Sequence, residues 1–254
     1  MCAMGAYRDI ARRLCDALQL GVPPVAIALR QQVPAELKPN APAPPPSGCL
    51  FWQRATGHTL VTSPRDHRFC TIGMYTHNFE MTPAEQADFQ DMLEFFAGLG
   101  YLGAEELPEI PTLEEPPNYV VYAPLGVTPI PPDVVLLFVQ PGQALILAES
   151  CQAADRGAVP VIGRPACALV PMVRNSERAA ASLGCCGARS YVDLLGPGIA
   201  IWALPGPRLD EYIDHIESQC RAHSRLVRFH QLRRQEIEAG RRPTVKTSLG
   251  RLGS

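Results

Sequence analysis

The sequence lacks the long apolar segments that mark membrane-spanning and secreted proteins. Its longest clean apolar runs, such as VVLLFV at Val134–Val139, have the length of a strand and are far too short to cross a bilayer. The first 20 residues carry charges throughout and contain no apolar core of a signal peptide. We therefore expect a cytoplasmic protein without a membrane partner. The length of 254 residues suits one large domain or two small ones.

Common catalytic motifs are also missing. No Walker motif and no G-x-S-x-G occurs, and no two histidines have the H-x-x-x-H spacing of a zinc enzyme. The glycine-rich run GLGYLG, Gly98–Gly103, follows a predicted helix and is interpreted as the end of that helix rather than as a phosphate-binding loop. These observations argue against a P-loop, an α/β-hydrolase serine and a histidine-bound zinc ion.

Basic residues are absent from a long central part of the chain and concentrated at its end. No Lys or Arg occurs between Phe69 and Asp155, whereas Arg221 to Ser254 contains nine basic and two acidic residues, a net charge of +7. The rest has 14 basic and 23 acidic residues, a net charge of −9. No aromatic pattern for base stacking accompanies the basic tail, so nucleic acid is not the expected partner. We expect the tail to lie on the acidic surface of its own subunit or of a second one, which would make a homodimer.

Local patterns predict alternating strands and helices. A helix is predicted at Pro83–Ala97 because Thr82 is a suitable N-cap, proline occupies the first helical position and glycines follow. Further helices are predicted at residues 6–20, at 141–154 and from Arg208 onward, and strands at 25–29, 58–63, 118–125, 134–139 and 198–206. The predicted fold class is α/β or α+β, with a mixed sheet, flanking helices and a long C-terminal helix. Residues 1–220 would form a single domain, and residues 221–254 a basic helix or tail.

Two parts of the chain share a weak pattern. The run PPVAIAL resembles PPDVVLLFV, and each is followed by a Gly/Pro stretch that ends in a cysteine and then by a second cysteine near a glycine and a tyrosine. The first part contains Cys49 and Cys70, and the second contains Cys167 and Cys185. The similarity fits an internal pseudo-two-fold repeat in which each half contributes two cysteines to one central point. Coincidence is the alternative, because the similar runs are short.

Nine cysteines are many for a cytoplasmic protein, in which metal binding or catalysis is a more common use of cysteine than disulfides. Cys15, Cys151 and Cys220 lie in helix-like segments without a motif and are interpreted as small buried hydrophobic residues. The candidate metal ligands adjoin glycine or Gly/Pro turns, where the backbone can approach a metal group and donate hydrogen bonds to sulfur. These candidates are Cys49, Cys70, Cys167 and Cys185. Cys186 is not included, because neighbouring side chains point apart.

The spacing of the four cysteines favours a [4Fe–4S] cluster over zinc. Structural zinc sites use close C-x₂₋₄-C pairs, which are missing, whereas a cluster inside a folded domain can take cysteines from distant loops. Ferredoxin spacing is missing as well, so zinc, a nucleophilic or redox cysteine and the absence of any site remain open. His67 would be the base for a nucleophilic Cys70. Its position between charged residues is more typical of a solvated side chain.

Two arginines close to the cysteines in sequence are candidates for cofactor binding. Arg164 and Arg189 would offset the negative charge of a cluster held by thiolates, or bind a substrate carboxylate. The functional hypothesis is an iron–sulfur protein that performs redox or Lewis-acid chemistry on a small-molecule ligand, or exchanges electrons with a redox partner. The alternatives are a binding or sensor module with a structural cluster and a cysteine-nucleophile enzyme. The sequence therefore leaves open whether the protein is an enzyme.

Three short motifs surround the candidate cysteines: C-x-x-G from Cys70, GRPAC ending at Cys167, and GC-x-G-x-R from Gly184 to Arg189. In combination they resemble the domain of unknown function 169 family, a set of uncharacterised bacterial and archaeal proteins. The resemblance covers roughly residues 8–220. The family has matching cysteines at all four candidate positions and an arginine matching Arg189, and the resemblance implies that the four cysteines act as one set. The family usually has Asn before that arginine, where this chain has Ala188, and the resemblance implies no established activity.

Overall fold

The computed structural model describes residues 2–41 and 43–252, in which strands and helices alternate. The strands are β1 (Val25–Arg30), β2 (Leu60–Thr62), β3 (Tyr119–Pro124), β4 (Val134–Val139), β5 (Val161–Ile162), β6 (Ala180–Ser182) and β7 (Ala200–Pro205). The helices are α1 (Cys2–Leu18), α2 (Leu50–Arg54), α3 (Thr71–Thr76), α4 (Pro83–Gly98), α5 (Pro141–Asp155), α6 (Leu169–Ser176), α7 (Cys186–Tyr191), α8 (Leu209–Glu238) and α9 (Val245–Leu252). Residues 1, 253 and 254, which belong to the predicted regions 1–220 and 221–254, lie outside the described residues.

The helix predicted after Thr82 is present as α4. The Thr82 hydroxyl oxygen accepts a hydrogen bond from the backbone N–H of Glu85 at 3.3 Å, and the Glu85 carboxylate accepts one from the Thr82 N–H at 2.8 Å. This reciprocal capping box satisfies two N–H groups that the first turn would otherwise leave without partners. Gly100, with a φ of +65°, follows the last turn. The GLGYLG run therefore ends the helix, as predicted.

The seven strands of the described residues form one mixed sheet, which confirms the predicted fold class. Their order is β2-β3-β1-β4-β7-β6-β5, and neighbours are antiparallel except β5 and β6, which are parallel. Strand β4, the apolar run predicted as a buried strand, lies in the middle, and all of its residues are buried. Alternate side chains of β4 enter two hydrophobic clusters, one on each face of the sheet.

Each face of the sheet is covered by its own set of helices. Side chains of α1, α5 and α8 pack in the cluster on one face, and side chains of α2, α3, α6 and α7 pack in the cluster on the other. The second face also contains Cys49, Cys167 and Cys185. We call it the cysteine face.

The chain after Arg208 forms one long helix, α8, of 30 residues. Its first two turns are anchored on the sheet by four buried side chains, those of Leu209, Tyr212, Ile213 and Ile216. The helix continues without a break through residue 221, so the division proposed there falls within it. In its basic part, His223 contacts Glu149 of α5 at 2.7 Å, a contact with its own subunit. None of the described helices is long and apolar enough to cross a membrane.

The two similar sequence parts occupy equivalent places in the sheet. Strands β1 and β4 are neighbours and antiparallel, and the sheet continues outward through β3 and β2 on one side and through β7 and β6 on the other. Apart from β5, an extra strand at the edge beyond β6, the chain visits each half in the same order: the central strand first, the outermost of the three next, and the strand between them last. The pseudo-two-fold repeat is therefore present in the topology of the fold.

The strand register repeats as well. Val25 is opposite Pro124 in the first half, and Val134 is opposite Pro205 in the second. The residue after each proline donates its backbone N–H to the carbonyl of the residue before each valine, at 2.8 Å in both halves. The two halves thus match in their backbone hydrogen bonds and not only in strand order.

The halves differ most in the segment that precedes the last strand of each. Between α3 and β3 the first half contains residues 77–118, whereas the second half contains only residues 192–199 between α7 and β7. The longer segment, which we call the α4 insertion, includes helix α4. It breaks the symmetry on one side of the cysteine face.

Candidate functional site

The four candidate cysteines line one cavity of about 650 Å³. Each stands at the start of a short helix. Cys49, Cys70 and Cys185 directly precede α2, α3 and α7, and Cys167 lies in a 3₁₀ turn before α6. In the order of elements, Cys49 corresponds to Cys167 and Cys70 to Cys185, so both halves contribute two cysteines to the same place. Metal ligation by these residues stays a prediction.

Burial and mutual repulsion raise the pKa of the Cys49 and Cys167 thiols. Both side chains are buried, and burial is the larger cause because a thiolate loses its hydration in an apolar interior. The pKa of Cys49 is raised further by Cys167, Cys70 and Cys185, and that of Cys167 by Cys70 and Cys185. Four thiolates this close together need a compensating cation, which a metal group would supply.

The cysteines are not grouped tightly around one point. Among the described residues, no three His, Cys, Asp or Glu side chains are placed to hold a metal ion. A single zinc ion binds sulfur at about 2.3 Å, so its thiolates must lie within roughly 4 Å of one another. The four cysteines are close enough to affect one another's pKa, yet no three of them are placed to hold one metal ion.

Glycines make room for Cys70. A Cβ atom at Gly73 would lie 2.9 Å from the Cys70 sulfur, and one at Gly48 would lie 3.9 Å from it and 3.3 Å from His67 Nδ1. The first distance is well below ordinary van der Waals contact, so only glycine leaves the sulfur in this position. The C-x-x-G motif from Cys70 therefore has a steric cause.

Arg189 holds the turn that presents Cys185. Its guanidinium donates hydrogen bonds to four backbone carbonyl oxygens, those of Leu183, Leu195, Gly196 and Ile199. Gly184, with a φ of +78°, brings the turn so close that a Cβ there would lie 3.3 Å from Arg189 Nε. The Cys185 sulfur accepts a hydrogen bond from the Ala188 N–H at 3.4 Å. Arg189 does not line the cavity, so its observed role is to position the turn, and contact with a cofactor stays a prediction.

Arg164 does line the cavity, and it is paired within the protein. Its guanidinium lies 2.8 Å from the Glu106 carboxylate and 4.5 Å from the centre of the Tyr101 ring. The Tyr101 oxygen accepts a hydrogen bond from the Cys186 thiol at 3.5 Å, and burial followed by this contact raises the pKa of Tyr101 to about 12. Arg164 thus ties the α4 insertion to the turn before Cys167. Glu106 already provides the negative charge that a substrate carboxylate would bring.

Two histidines are buried next to the cysteines. His67 packs against Phe51, with ring centres 4.9 Å apart, and its Nε2 lies 3.1 Å from the Thr62 hydroxyl oxygen. His77 donates from Nδ1 to the carbonyl oxygen of Gly73 at 2.9 Å. Burial lowers the pKa of both, that of His77 to about 4, so both are neutral at pH 7.

The solvated position expected for His67 is therefore wrong. Its charged neighbours misled the sequence interpretation, because they face away from the core. Arg65 is exposed, and the Asp66 carboxylate accepts a hydrogen bond from the Ser63 N–H at 2.7 Å at the start of the same 3₁₀ turn. The geometry of this turn, and not the local sequence, directs His67 inward while its neighbour Arg65 faces outward.

Two buried polar atoms near the cysteines, Thr71 Oγ1 and His77 Nε2, have no hydrogen-bond partner among the described residues. Thr71 directly follows Cys70 and belongs to the cavity lining. Buried polar groups in native proteins nearly always have a partner, so an unpaired hydroxyl beside four thiols is a donor available to a bound group. The sulfur atoms of iron–sulfur clusters accept such hydrogen bonds.

Of the three cysteines interpreted as buried hydrophobic residues, one is fully buried. Cys151 is buried and Cys220 is partly buried in the cluster on the face of the sheet opposite the cysteine face. The Cys220 thiol donates a hydrogen bond to the carbonyl oxygen of Ala17 at 3.2 Å. Cys15 is half-buried on α1. None of these three lines the cavity.

Comparison with known proteins identifies a family but no activity. No curated protein and no solved structure matches the chain. A sequence profile of the DUF169 family, described as uncharacterised ArCR, matches residues 13–215. The matched segment contains all four candidate cysteines and both candidate arginines. Because the match covers more than half of the chain and agrees with the motifs, the protein belongs to the DUF169 family.

Proposed function

We propose that Cys49, Cys70, Cys167 and Cys185 hold one [4Fe–4S] cluster. The observation that supports this proposal best is their convergence, since four thiols from two halves of the fold line the same cavity. The two buried thiols are also close enough to the others for their pKa values to rise. Thiolates brought together from separate loops, without a close C-x₂₋₄-C pair, suit an iron–sulfur cluster better than structural zinc.

The surroundings of Cys70 support a bound group. A cluster distributes its cysteine ligands over several irons, so the sulfurs need not surround one point. Gly73 leaves space beside the Cys70 sulfur, and the unpaired Thr71 hydroxyl is placed as a hydrogen-bond donor next to it. A nucleophilic role is disfavoured at Cys49 and Cys167, because a raised pKa lowers the thiolate fraction.

When bound, such a cluster supplies electron transfer, or Lewis-acid chemistry at an iron that has no cysteine ligand. The chain's own residues shape the surroundings of the site. The α4 insertion covers the cavity with apolar side chains, while Cys70 and Cys185 stay partly exposed. Arg164 and Glu106 tie this cover to the turn before Cys167. Redox or Lewis-acid action on a small molecule is therefore the activity that we propose.

Anaerobic purification with iron and sulfide determination tests the cluster. We expect a brown protein with about four irons per chain, and a loss of most of the iron in each single variant Cys49→Ser, Cys70→Ser, Cys167→Ser and Cys185→Ser. Cys220→Ser is the matched control, because this half-buried cysteine lies on the opposite face of the sheet. It should leave the iron content unchanged.

Cys186 provides a second, sharper control. Its side chain is exposed and directed to Tyr101, whereas the Cys185 sulfur is held by the Ala188 N–H. Cys186→Ser should therefore retain the iron that Cys185→Ser loses. One zinc per chain instead of iron, or iron retained by two or more of the four ligand variants, would contradict the proposal.

Electron paramagnetic resonance of the reduced protein distinguishes chemistry at the cluster from a purely structural role. A spectrum that changes when a small molecule occupies the cavity would show that the cluster is accessible to ligands. A spectrum that stays the same with the cavity occupied would favour the alternative, a binding or sensor module with a structural cluster.

A further inference from the structure

The cavity has the size and lining of a small-molecule site. Its volume of about 650 Å³ falls within the range of roughly 300–1,000 Å³ typical of ligand pockets. The cysteines lie on the sheet side, and the side chains contributed by α4 and the rest of the α4 insertion are apolar or aromatic. The main apolar and aromatic lining residues are Phe69, Ile72, Met92, Phe96, Tyr101 and Ile110.

The cavity lining carries no uncompensated charge. Arg164 is the one Lys, Arg, Asp or Glu among the described lining residues, and its guanidinium is paired with Glu106 at 2.8 Å. Two of the lining hydroxyl groups are engaged within the protein, whereas the Thr71 hydroxyl has no partner among the described residues. Ser190 donates to the carbonyl oxygen of Cys186 at 2.7 Å, and Tyr101 accepts from the thiol of the same cysteine. An anionic or cationic ligand would lose its hydration here without meeting a free opposite charge.

Helix α4 is poorly packed on the protein itself. None of its residues is buried, although Met92 and Phe96 line the cavity. Phe96 meets Tyr101 edge to face, with ring centres 5.4 Å apart. The α4 insertion therefore contributes aromatic rings to the cavity lining. A flat apolar molecule placed between these rings and the cysteines would bury the inner side of α4. Aromatic side chains favour offset-stacked and edge-to-face partners.

We propose that this cavity binds an uncharged, largely apolar aromatic small molecule, held between the inner side of α4 and the four cysteines. The proposal deepens the proposed function, on which it rests for the chemistry that the molecule meets at the cysteines. Binding itself depends on the cavity and not on the identity of the metal group.

A pair of probes that differ only in charge tests the ligand class. Equilibrium dialysis of the anaerobically purified protein against 1-naphthamide and 1-naphthoate compares a neutral ring with its anionic counterpart. We expect saturable binding of about one 1-naphthamide per chain, at least tenfold tighter than 1-naphthoate. No saturable binding of 1-naphthamide, or equal or tighter binding of 1-naphthoate, would overturn the proposal.

Substitutions on α4 locate the binding site. Met92→Trp adds volume inside the cavity and should weaken 1-naphthamide binding at least tenfold. Phe95→Trp is the matched control, because Phe95 is 62 % exposed, lies three residues further along the same helix and does not line the cavity. It should change binding less than twofold. Equal effects of both substitutions would place the probe elsewhere and contradict the proposal.

Iron content measured on the same samples separates the two proposals. Met92 is not a thiol ligand, so Met92→Trp should keep the iron of the unaltered protein while it loses the probe. A protein without iron that still binds 1-naphthamide in the Met92-dependent way would refute the cluster and leave the cavity proposal standing. A protein with four irons that binds no probe would refute the cavity proposal and leave the cluster standing.

Discussion

Gly73 shows how one residue without a side chain determines the position of a sulfur atom. It lies inside helix α3, where alanine would normally be favoured over glycine by about 1 kcal/mol. A Cβ at this position would, however, lie 2.9 Å from the Cys70 sulfur. Helix propensity favours alanine at this position, whereas the Cys70 thiol needs the space that only glycine leaves. The residue present is glycine, so the position satisfies the thiol at the expense of helix propensity.

The substitution Gly73→Ala tests this conflict. We expect it to displace the Cys70 sulfur and to lower the iron content of the anaerobically purified protein to less than half, while the helix itself still forms. Gly57→Ala is the matched control, because a Cβ at Gly57 meets no atom within 4 Å. Full iron content in Gly73→Ala would show that Cys70 is free to move or is not a ligand.

The buried histidines connect single residues to the pH dependence of stability. His77 has a pKa of about 4 in the folded protein because burial disfavours its charged form, against about 6.5 in the unfolded chain. Between these values the unfolded state binds more protons, so this contribution to stability is fully present above pH 6.5 and is lost as the pH falls toward 4.

We expect the free energy of unfolding to fall by up to about 1.4 kcal/mol per pH unit, for this one group, as the pH is lowered from 6.5 to 4.5. His77→Asn keeps an N–H donor for the Gly73 carbonyl oxygen but cannot be protonated in this range, so it should reduce the slope. Urea unfolding at several pH values measures both slopes. Identical slopes in the two proteins would show that His77 does not titrate as described.

At the scale of elements, α8 combines an anchored beginning with an exposed continuation. Its four buried side chains all belong to the first two turns, and each contributes about 1.5–3 kcal/mol on burial. Together they stabilise the fold by on the order of 10 kcal/mol, comparable to the whole stability of a typical domain. After residue 221 the helix makes partly exposed contacts such as the hydrogen bond between His223 and Glu149, which contribute about 1 kcal/mol each.

Two truncations should therefore differ sharply. Removal of residues 209–254 uncovers one face of the sheet and should produce an aggregating chain. Removal of residues 222–254 should lower the melting temperature by only a few degrees, because the anchored turns remain. Size-exclusion chromatography and thermal melting of both variants measure the difference. If the variant that lacks only the chain after residue 221 also aggregates, the exposed part of α8, with α9, is needed for the fold or its assembly.

At the scale of the whole molecule, the pseudo-two-fold fold brings the cysteines of both halves to one cavity. A metal group held by both would link residues that are more than 100 positions apart in the sequence, such as Cys49 and Cys167. Its binding free energy would then contribute directly to folding, because the unfolded chain has no preformed site. The α4 insertion is the largest departure from the symmetry, and it covers the cavity on one side.

Removal of the metal group should destabilise the whole protein. We expect the melting temperature of anaerobically purified protein to fall by at least several degrees after treatment with an iron chelator. The variant with all four candidate cysteines changed to serine should melt at the same temperature with and without the chelator. An unchanged melting temperature of the unaltered protein, together with measurable loss of iron, would show that the metal group does not link the two halves.

Much of the fold could be predicted because its signals are local. The capping residues of α4 lie within four positions of one another, and the apolar run of β4 is a continuous stretch, so neither depends on distant parts of the chain. The repeat was visible as well, since its two central strands begin with similar apolar runs. Strand order was not predicted, because it depends on which strands meet across long connections.

Of the candidate site, the sequence by itself determined which cysteines are the candidates. Cysteines next to glycines in two similar parts of the chain indicate Cys49, Cys70, Cys167 and Cys185, because glycine spacing and motif similarity are properties of the chain alone. Only the tertiary structure decided what surrounds them. It pairs Arg164 with Glu106, turns Arg189 toward backbone carbonyls and buries His67, and it covers the cysteines with α4. These contacts join residues whose distances in space follow from the packing of the sheet and its insertion, which no local pattern encodes.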